Sequence, residues 1–197
     1  TCRATPEMKD AIPQPQRRKP ALPATVAWIP DGDGSPLPGV LRILDQTRLP
    51  ARVTHLDLVA PADTHAAIRR LAVRGAPAIG CAAALGLAAA CQHANATTAD
   101  FLCEVRKTAD FLATSRPTAV NLFWALERMK KVVAGATDAC ALRDALAAEA
   151  RSIITDDLDR CRRMGAHGAE LIPPGARILT HCNAGALATA GYGTALG

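Results

Sequence analysis

The sequence predicts an α+β domain that leads into the opening strand of an open α/β domain. Three short segments between residues 25 and 59 favour strands, because apolar or β-branched residues alternate there and turn residues separate them. Helical spacing of apolar residues then continues to residue 168. Beyond Pro173–Gly175, which end the helical pattern, an apolar stretch runs into the loop His181–Gly185. A strand, a tight loop and then small residues are typical of a strand-to-helix junction in an α/β domain.

The individual elements follow from the same patterns. The predicted strands cover Thr25–Ile29, Val40–Asp45 and Thr54–Val59, and the first two form a hairpin. Pro77 and Pro117 each suit a first helical turn, where a missing N–H costs nothing. One more strand is predicted at 177–181. The predicted helices cover residues 63–73, 77–92, 99–113, 117–134 and 139–168.

These elements divide the chain into three parts. Residues 1–23 are predicted to be a disordered, proline-rich basic tail. Residues 24–170 form a mostly helical domain with a small sheet, and residues 171–197 begin the α/β domain. The first 20 residues hold five basic and two acidic side chains, so most of the formal charge of +5 lies in the tail. The near-neutral body argues against a nucleic-acid-binding surface.

The pattern of the seven cysteines indicates free thiols. Their number is odd and no CxxC pair occurs, which argues against a disulfide framework and against a zinc site. Free thiols are typical of a reducing compartment, so we expect a cytoplasmic protein. The run from Ala76 to Cys91 carries no charge, but it is shorter than the roughly 20 apolar residues that a membrane span needs. We therefore expect neither a metal site nor a membrane partner.

An arginine precedes a proline-led helix in the stretch Val73–Gly80. Gly75 lets the backbone approach a ligand closely, and Arg74 can hold a phosphate through two hydrogen bonds. The free N–H groups of the first helical turn and the helix dipole favour an anion at the same place. In isolation, an ordinary helix start with a surface arginine is the simpler interpretation of this stretch.

Two further stretches carry candidate residues. Ser115–Asn121 repeats the arrangement with Arg116, although a solvated or ion-paired arginine explains this stretch more simply in isolation. The loop His181–Gly185 places the thiol of Cys182 at the predicted start of a helix, where thiols can be reactive. The alternative is a small packing cysteine in a tight loop. Two basic helix starts in one small domain favour a shared anionic ligand.

The long helix predicted at 139–168 carries a group of charged residues near its middle. Asp156, Asp157 and Asp159 lie close to three arginines at helical spacing. This spacing predicts an exposed face on which the charges are paired with one another.

Taken together, these stretches resemble the methylthioribose-1-phosphate isomerase family. This family shares its fold with the regulatory subunits of a translation-initiation nucleotide-exchange factor and with ribose-1,5-bisphosphate isomerases. The Cys182 loop and the stretch Arg-Pro-Thr-Ala-Val-Asn favour the isomerases over the initiation-factor subunits. The resemblance covers residues 25–197 and is carried by Leu41–Pro50, Val73–Leu87, Arg116–Met129 and Gly168–Gly197.

The resemblance implies roles for particular residues. Arg74, Gly75 and Ala76 match the loop that binds the sugar phosphate, and Arg116 matches a second substrate-binding arginine. Cys182 matches the catalytic cysteine at the end of the first strand of a Rossmann-like domain. The implied reaction converts 5-methylthioribose 1-phosphate to 5-methylthioribulose 1-phosphate in methionine salvage. The resemblance implies no metal, nicotinamide or flavin, and it implies a homodimer for full-length relatives.

The resemblance also sets an expectation for the activity of this chain. The family's catalytic aspartate lies downstream of the Cys182 loop, beyond residue 197, so we expect residues 1–197 alone to be nearly inactive, as a truncated isomerase. The alternatives are a ribose-1,5-bisphosphate isomerase, a non-catalytic regulatory or scaffold fragment, and a hydrolase with Cys182 as its nucleophile. We also expect residues 177–197 to be poorly ordered or to pair with another chain, because a lone strand leaves its backbone groups unpaired.

Overall fold

The computed structural model describes residues 24–32, 37–93, 97–133 and 138–197. Within these ranges the chain forms three strands and five helices, which confirms the predicted α+β domain. The tail predicted to be disordered, residues 1–23, lies outside the described residues. None of the described helices combines the length and apolar character that a membrane crossing needs. The strands are β1 (Val26–Pro30), β2 (Gly39–Leu44) and β3 (His55–Leu58), and the helices are α1 (Pro61–Arg69), α2 (Ala76–Cys91), α3 (Thr98–Ala113), α4 (Val120–Val132) and α5 (Ala139–Glu170).

The three strands form one antiparallel sheet in the order β1-β2-β3. Val26 pairs with Ile43 in the first ladder, and Leu41 pairs with Leu58 in the second. All four side chains are buried, because alternate residues of a strand point to the same face. This face of the sheet packs on the helices and completes the core.

Helix α2 is the centre of the domain. It contains no charged residue in its 16 positions, and nearly all of its side chains are buried. A helix that is apolar all round is buried on every side, and α2 packs against the sheet and against the four other helices. Its Ala and Gly side chains let these neighbours approach closely, and a Cβ at Gly80 would lie 2.8 Å from the carbonyl oxygen of Asn121 in α4. The start of α4 is thereby held beside the start of α2.

One predicted helix start is wrong by about a turn. Helix α4 begins at Val120 rather than at residue 117. Residues 116–119 form a turn instead, in which the Ala119 amide donates to the Arg116 carbonyl at 3.0 Å, and the backbone of Ala119 is extended. Pro117 therefore lies in the turn before the helix and not in its first turn. The predicted start of α2 at Pro77 is confirmed to within one residue.

The segment after α5 differs most from the prediction. The strand predicted at 177–181 is not formed, since these residues pair with no strand in the described part of the chain, and Leu179 is 98% exposed. The helix start predicted after Gly185 is only a single 3-10 turn, Ala186–Ala188. A parallel strand needs neighbouring strands to receive its N–H and C=O groups. The Rossmann-like continuation and the domain division after residue 170 stay predictions.

Candidate active site

The five residues that the sequence singles out line one cleft. Arg74, Gly75, Ala76, Arg116 and Cys182 all border the same cavity of about 600 Å³. The cavity lies where the loop before α2, the turn before α4 and the Cys182 loop come together. Three stretches that are distant in the sequence therefore meet at this cavity. The other lining residues belong to the same three segments and are Leu71, Pro77, Ile79, Thr118, Ala119, Val120, Asn121 and Asn183.

The loop before α2 depends on the glycine at position 75. Gly75 has a φ of +100°, a conformation that residues with a side chain rarely adopt. A Cβ at this position would also lie 2.5 Å from the carbonyl oxygen of Ala188. The Ile79 amide donates to the Gly75 carbonyl at 3.0 Å and closes the first turn of α2. Gly75 thus sets the direction of α2 and lets the C-terminal segment pack directly on the loop.

The N-termini of α2 and α4 both open into the cleft. Within the described ranges, no side chain caps either helix by a hydrogen bond, and neither helix has an acidic residue in its first turn. Pro77 has no N–H, and the Ile79 and Leu122 amides donate to the carbonyls of Gly75 and Ala119. The other N–H groups of each first turn and the positive end of each helix dipole are available to an anion. This geometry suits a phosphate group.

Two arginines add full positive charges to the cleft. Arg74 is exposed and Arg116 is half-buried. Neither forms an ion pair with a residue that the structure describes, whereas Arg128, outside the cleft, binds both Glu149 and Asp156. Two guanidinium groups that have no acidic partner among the described residues, beside two helix N-termini, favour a ligand with two negative charges such as a phosphate monoester.

Cys182 brings a thiol to the cleft. Its backbone has a φ of +65°, which is strained for a residue with a side chain. Strain of this kind persists only where the surrounding structure holds it. Three other thiols are buried: burial raises the pKa of Cys91 to about 12 and also raises the pKa of Cys81 and Cys161, which leaves them little reactive thiolate. Of the cysteines that the structure describes, Cys182 alone lines the cleft.

Potential proton carriers and metal ligands are sparse at the cleft. No histidine is among the described lining residues, and His181 is exposed beside Cys182 without lining the cavity. The described ranges also contain no group of three His, Cys, Asp or Glu side chains that could hold a metal ion. The cleft therefore offers cationic and N–H groups together with one thiol.

The segment after the Cys182 loop is fastened to the sheet side of the domain. The Thr25 hydroxyl donates to the Ala186 carbonyl at 2.8 Å. Gln46 Nε2 donates to the Leu187 carbonyl at 2.7 Å. Most side chains of residues 184–190 are buried. For residues 184–190 this packing differs from the expectation that residues 177–197 would be poorly ordered or would pair with another chain.

Helix α5 is hydrogen-bonded to the same segment through Asp157, which differs from the predicted exposed position of this residue. Asp157 is half-buried, and its Oδ2 accepts a hydrogen bond from the Ala190 amide at 2.7 Å. Burial raises the pKa of Asp157, although the Ala190 hydrogen bond and the charge of Arg160 act in the opposite direction. The prediction of an exposed, paired face holds for Asp159, whose ion pair with Arg163 measures 2.9 Å. It is wrong for Asp157.

The helical spacing contains a signal that identifies Asp157. Positions 146, 150, 153 and 161 of α5 are buried, at intervals of four, three and eight residues, so they lie along one face of the helix. Asp157 lies on this stripe, midway between Ile153 and Cys161. An ionisable residue in the middle of a buried stripe needs a hydrogen-bonding partner, because burial without one is costly.

The chain is similar in sequence to known proteins. Residues 72–195 match the family described as the Initiation factor 2 subunit family. The methylthioribose-1-phosphate isomerase of Pelotomaculum thermopropionicum is 53% identical over 88% of this chain and 46% of that protein. The enzyme of the same name from Albidiferax ferrireducens is 48% identical over 92% of this chain and 50% of that protein. The chain thus spans about half the length of the curated relatives that it matches.

Two solved structures share the fold. The 5-methylthioribose 1-phosphate isomerase from Pyrococcus horikoshii OT3 is 38% identical, with a TM-score of 0.77 over 87% of this chain and 47% of that one. The translation initiation factor eIF-2B, subunit delta, from A. fulgidus is 37% identical, with a TM-score of 0.76 over 88% of this chain and 48% of that one. The sequence resemblance is therefore confirmed at the level of both the chain and the fold.

Proposed function

Since the chain belongs to the Initiation factor 2 subunit family, we propose that its cleft binds the phosphate of a phosphorylated pentose in an aldose-ketose isomerase. The reaction would convert 5-methylthioribose 1-phosphate to 5-methylthioribulose 1-phosphate in methionine salvage. The observation that carries this proposal is the convergence of Arg74, Gly75, Ala76, Arg116 and Cys182 on one cavity. The isomerase names of its relatives supply the substrate.

Phosphate binding follows from the charges that face the cavity. Arg74 and Arg116 would hold the phosphate oxygens through charge-assisted hydrogen bonds. The amides at the starts of α2 and α4 would donate to the remaining oxygens, and both helix dipoles favour the dianion. The apolar side chain of Ile79 borders the same cavity and reduces the water around these groups, which strengthens their electrostatic attraction.

The chemistry of the proposed substrate determines what the site must do. The phosphate is attached to the anomeric oxygen, so the sugar cannot open as a free hemiacetal does. The site must assist ring opening and then move hydrogen from C2 to C1, which leaves the overall oxidation level unchanged. Cys182 is the candidate catalytic residue, because its thiol lies in the same cavity as the phosphate-binding groups. In the family resemblance its partner is an aspartate downstream of residue 197.

The full activity and assembly belong to the proposal as well. We expect a Rossmann-like continuation to complete the catalytic site, and we expect full-length proteins to be homodimers. The tail at 1–23, the domain at 24–170 and the start of the second domain at 171–197 are the proposed organisation of this chain. The free thiols fit a reducing compartment such as the cytoplasm. We expect no cofactor and no nucleic-acid partner.

Calorimetric titration of residues 1–197 with 5-methylthioribose 1-phosphate tests the proposal. We expect saturable binding without turnover. Arg74→Ala and Arg116→Ala should each raise the dissociation constant by about tenfold or more, since each removes a charged hydrogen-bond donor. Arg106→Ala, an exposed arginine on α3 outside the cleft, is the matched control and should change it less than about twofold. Absence of binding, or an equal loss in the control, would refute the proposal.

The alternatives are distinguished by the same preparation. A ribose-1,5-bisphosphate isomerase would bind the bisphosphate more tightly than the methylthio sugar. A regulatory or scaffold fragment would bind neither. A hydrolase would form a covalent adduct at Cys182 with release of a leaving group. It would also need a histidine base, and none lines the cavity among the described residues.

A further inference from the structure

We propose that Asp157 is a positioning residue for the cleft, whose carboxylate holds residues 186–193, the C-terminal turn, in register with the Gly75 loop and the Cys182 loop. Asp157 does not line the cavity. It acts through the backbone of the C-terminal turn. The inference rests on the proposed function only in its choice of ligand.

A hydrogen bond joins α5 to the C-terminal turn. The Ala190 amide donates to Asp157 Oδ2 at 2.7 Å, and Ala190 is only 2% exposed. Without the carboxylate, this N–H would lose its partner in a place that water hardly reaches. An apolar residue at position 157 would pack equally well on the buried stripe but would leave the amide unpaired. The hydrogen bond therefore gives a reason for a carboxylate in this position.

Hydrogen bonds within the C-terminal turn hold its residues together. Thr189 is fully buried, and its hydroxyl oxygen accepts from the Gly193 amide at 3.0 Å and from the Gly191 amide at 3.3 Å. The same hydroxyl donates to the Ala186 carbonyl at 3.3 Å. A bridge between Gly185 and Gly193 closes the turn. Because these bonds join its two ends, a contact at Ala190 holds the turn as one unit.

The C-terminal turn contacts both loops that border the cleft. The backbone of Ala188 lies directly against the Cα of Gly75, where no side chain would fit. On the other side, the carbonyl of Ala184 accepts from the Thr194 amide at 2.9 Å, and Ala184 follows the strained Cys182 by two residues. A shift of the turn would therefore move the Gly75 loop and would release the constraint on Cys182.

Charged and titratable groups of α5 and α2 lie around Asp157. Arg160 lies near it on α5, and its positive charge acts to lower the pKa of the carboxyl group, which burial raises. Burial, together with the negative charge of Asp157, raises the pKa of the thiols of Cys161 on α5 and Cys81 on α2. Among the described residues, Asp157 is the acceptor for the Ala190 amide, whereas the Cys161 sulfur interacts with the Gly193 amide of the same turn.

Peptide-level mass spectrometry of iodoacetamide labelling tests the proposal on residues 1–197. Labelling of Cys182 is measured against sulfate concentration, and the exposed Cys103 and Cys140 serve as internal controls. Sulfate should protect Cys182 alone. Asp157→Ala should raise the sulfate concentration needed for half protection by about fivefold, as expected for one lost hydrogen bond. Asp157→Asn keeps an acceptor oxygen and should remain within about twofold of the wild type.

The matched control is Asp159→Ala, which removes an exposed carboxylate two residues further along the same helix. It should leave sulfate protection unchanged. Hydrogen exchange of the peptide 184–194 should become faster in Asp157→Ala and not in Asp159→Ala. Equal sulfate protection in Asp157→Ala and the wild type, with both folded by circular dichroism, would overturn the proposal.

Failure of the proposed function has a different signature. It would appear as an absence of protection by sulfate and by 5-methylthioribose 1-phosphate in the wild type. The positioning role is then decided by ligand-free labelling. A Cys182 rate that changes at least about twofold relative to Cys103 in Asp157→Ala, and reverts in Asp157→Asn, supports the role. An unchanged ratio overturns it.

Discussion

The two sides of the cleft are held in place by different interactions. On the helix side, the Gly75 loop and the turn at Arg116 continue directly into α2 and α4, whose apolar faces are buried in the core. On the C-terminal side, the Cys182 loop is exposed and reaches the core through a turn whose buried side chains are small and which is bound by a few hydrogen bonds. Packing energy is spread over many contacts, whereas each hydrogen bond is a single directional contact. The C-terminal side is therefore the one that small changes can displace.

The largest expected difference between the two sides lies in hydrogen exchange. Amides of residues 177–181 should exchange close to the rate of an unfolded chain, because no described strand pairs with them. Amides in the middle of α2 should exchange only on global unfolding, which slows them by a factor of about 10⁴ or more. Mass spectrometry of the monomer at low concentration measures both in one experiment. Comparable protection of 177–181 and α2 in the monomer would contradict this comparison.

A rise in protection with protein concentration has a separate meaning. It would show that the exposed segment pairs with a second copy, as unpaired strand edges tend to do. The peptides of α2 are the internal control, since their exchange should not depend on concentration. This measurement separates an unpaired segment from an intermolecular strand.

The same contrast explains which parts of the molecule could be predicted from the sequence. The strands near Val26, Leu41 and Leu58 and the five helices follow from local periodicity, because their partners lie within the same domain. The segment 177–181 has the composition of a strand, but strand formation also requires neighbouring strands. The start of α4 was misplaced because Pro117 suits a turn as well as a first helical turn.

The candidate site divides in a similar way. Arg74, Arg116 and Cys182 could be predicted because each stands in a local motif next to small residues or proline. The role of Asp157 could not, because its partner is the backbone amide of Ala190, 33 positions further along the chain. A backbone amide is present at almost every position, so it leaves no trace in the sequence. Only the buried stripe of α5 points to Asp157.

Substitution of glycines compares the close contact at the cleft with an open position on a helix. Gly75→Ala should lower the free energy of unfolding by about 3 kcal/mol or more, because it combines a positive φ with a collision against Ala188. Gly168→Ala is the matched control, since a Cβ there meets nothing within 4 Å inside α5. This change should stabilise the protein by about 0.5–1 kcal/mol. Urea unfolding of the two variants measures both effects.

The outcome also bears on the function of the loop. Gly75→Ala protein that remains folded should lose sulfate protection of Cys182, because α2 and the C-terminal turn can no longer meet at this position. Gly168→Ala should retain it. Two variants of equal stability would mean that the Gly75 loop is not in the conformation described above.

The smallest expected effect concerns the charge of Asp157 and its dependence on pH. An aspartate in the unfolded chain has a pKa near 3.8, and burial raises the pKa of Asp157 above this value in the folded protein. The folded state therefore binds more protons between these two values, so this residue's contribution to stability declines as the pH rises through that window.

Asp157→Asn removes the titration and keeps an acceptor for the Ala190 amide. The free energy of unfolding of the variant, minus that of the wild type, should thus increase from acidic pH and level off above the raised pKa. Asp159→Asn, at an exposed ion pair, should show no such increase. If this difference in the free energy of unfolding instead decreases as the pH rises, the surroundings of Asp157 stabilise its carboxylate. Burial would then not be the dominant influence on the pKa of Asp157.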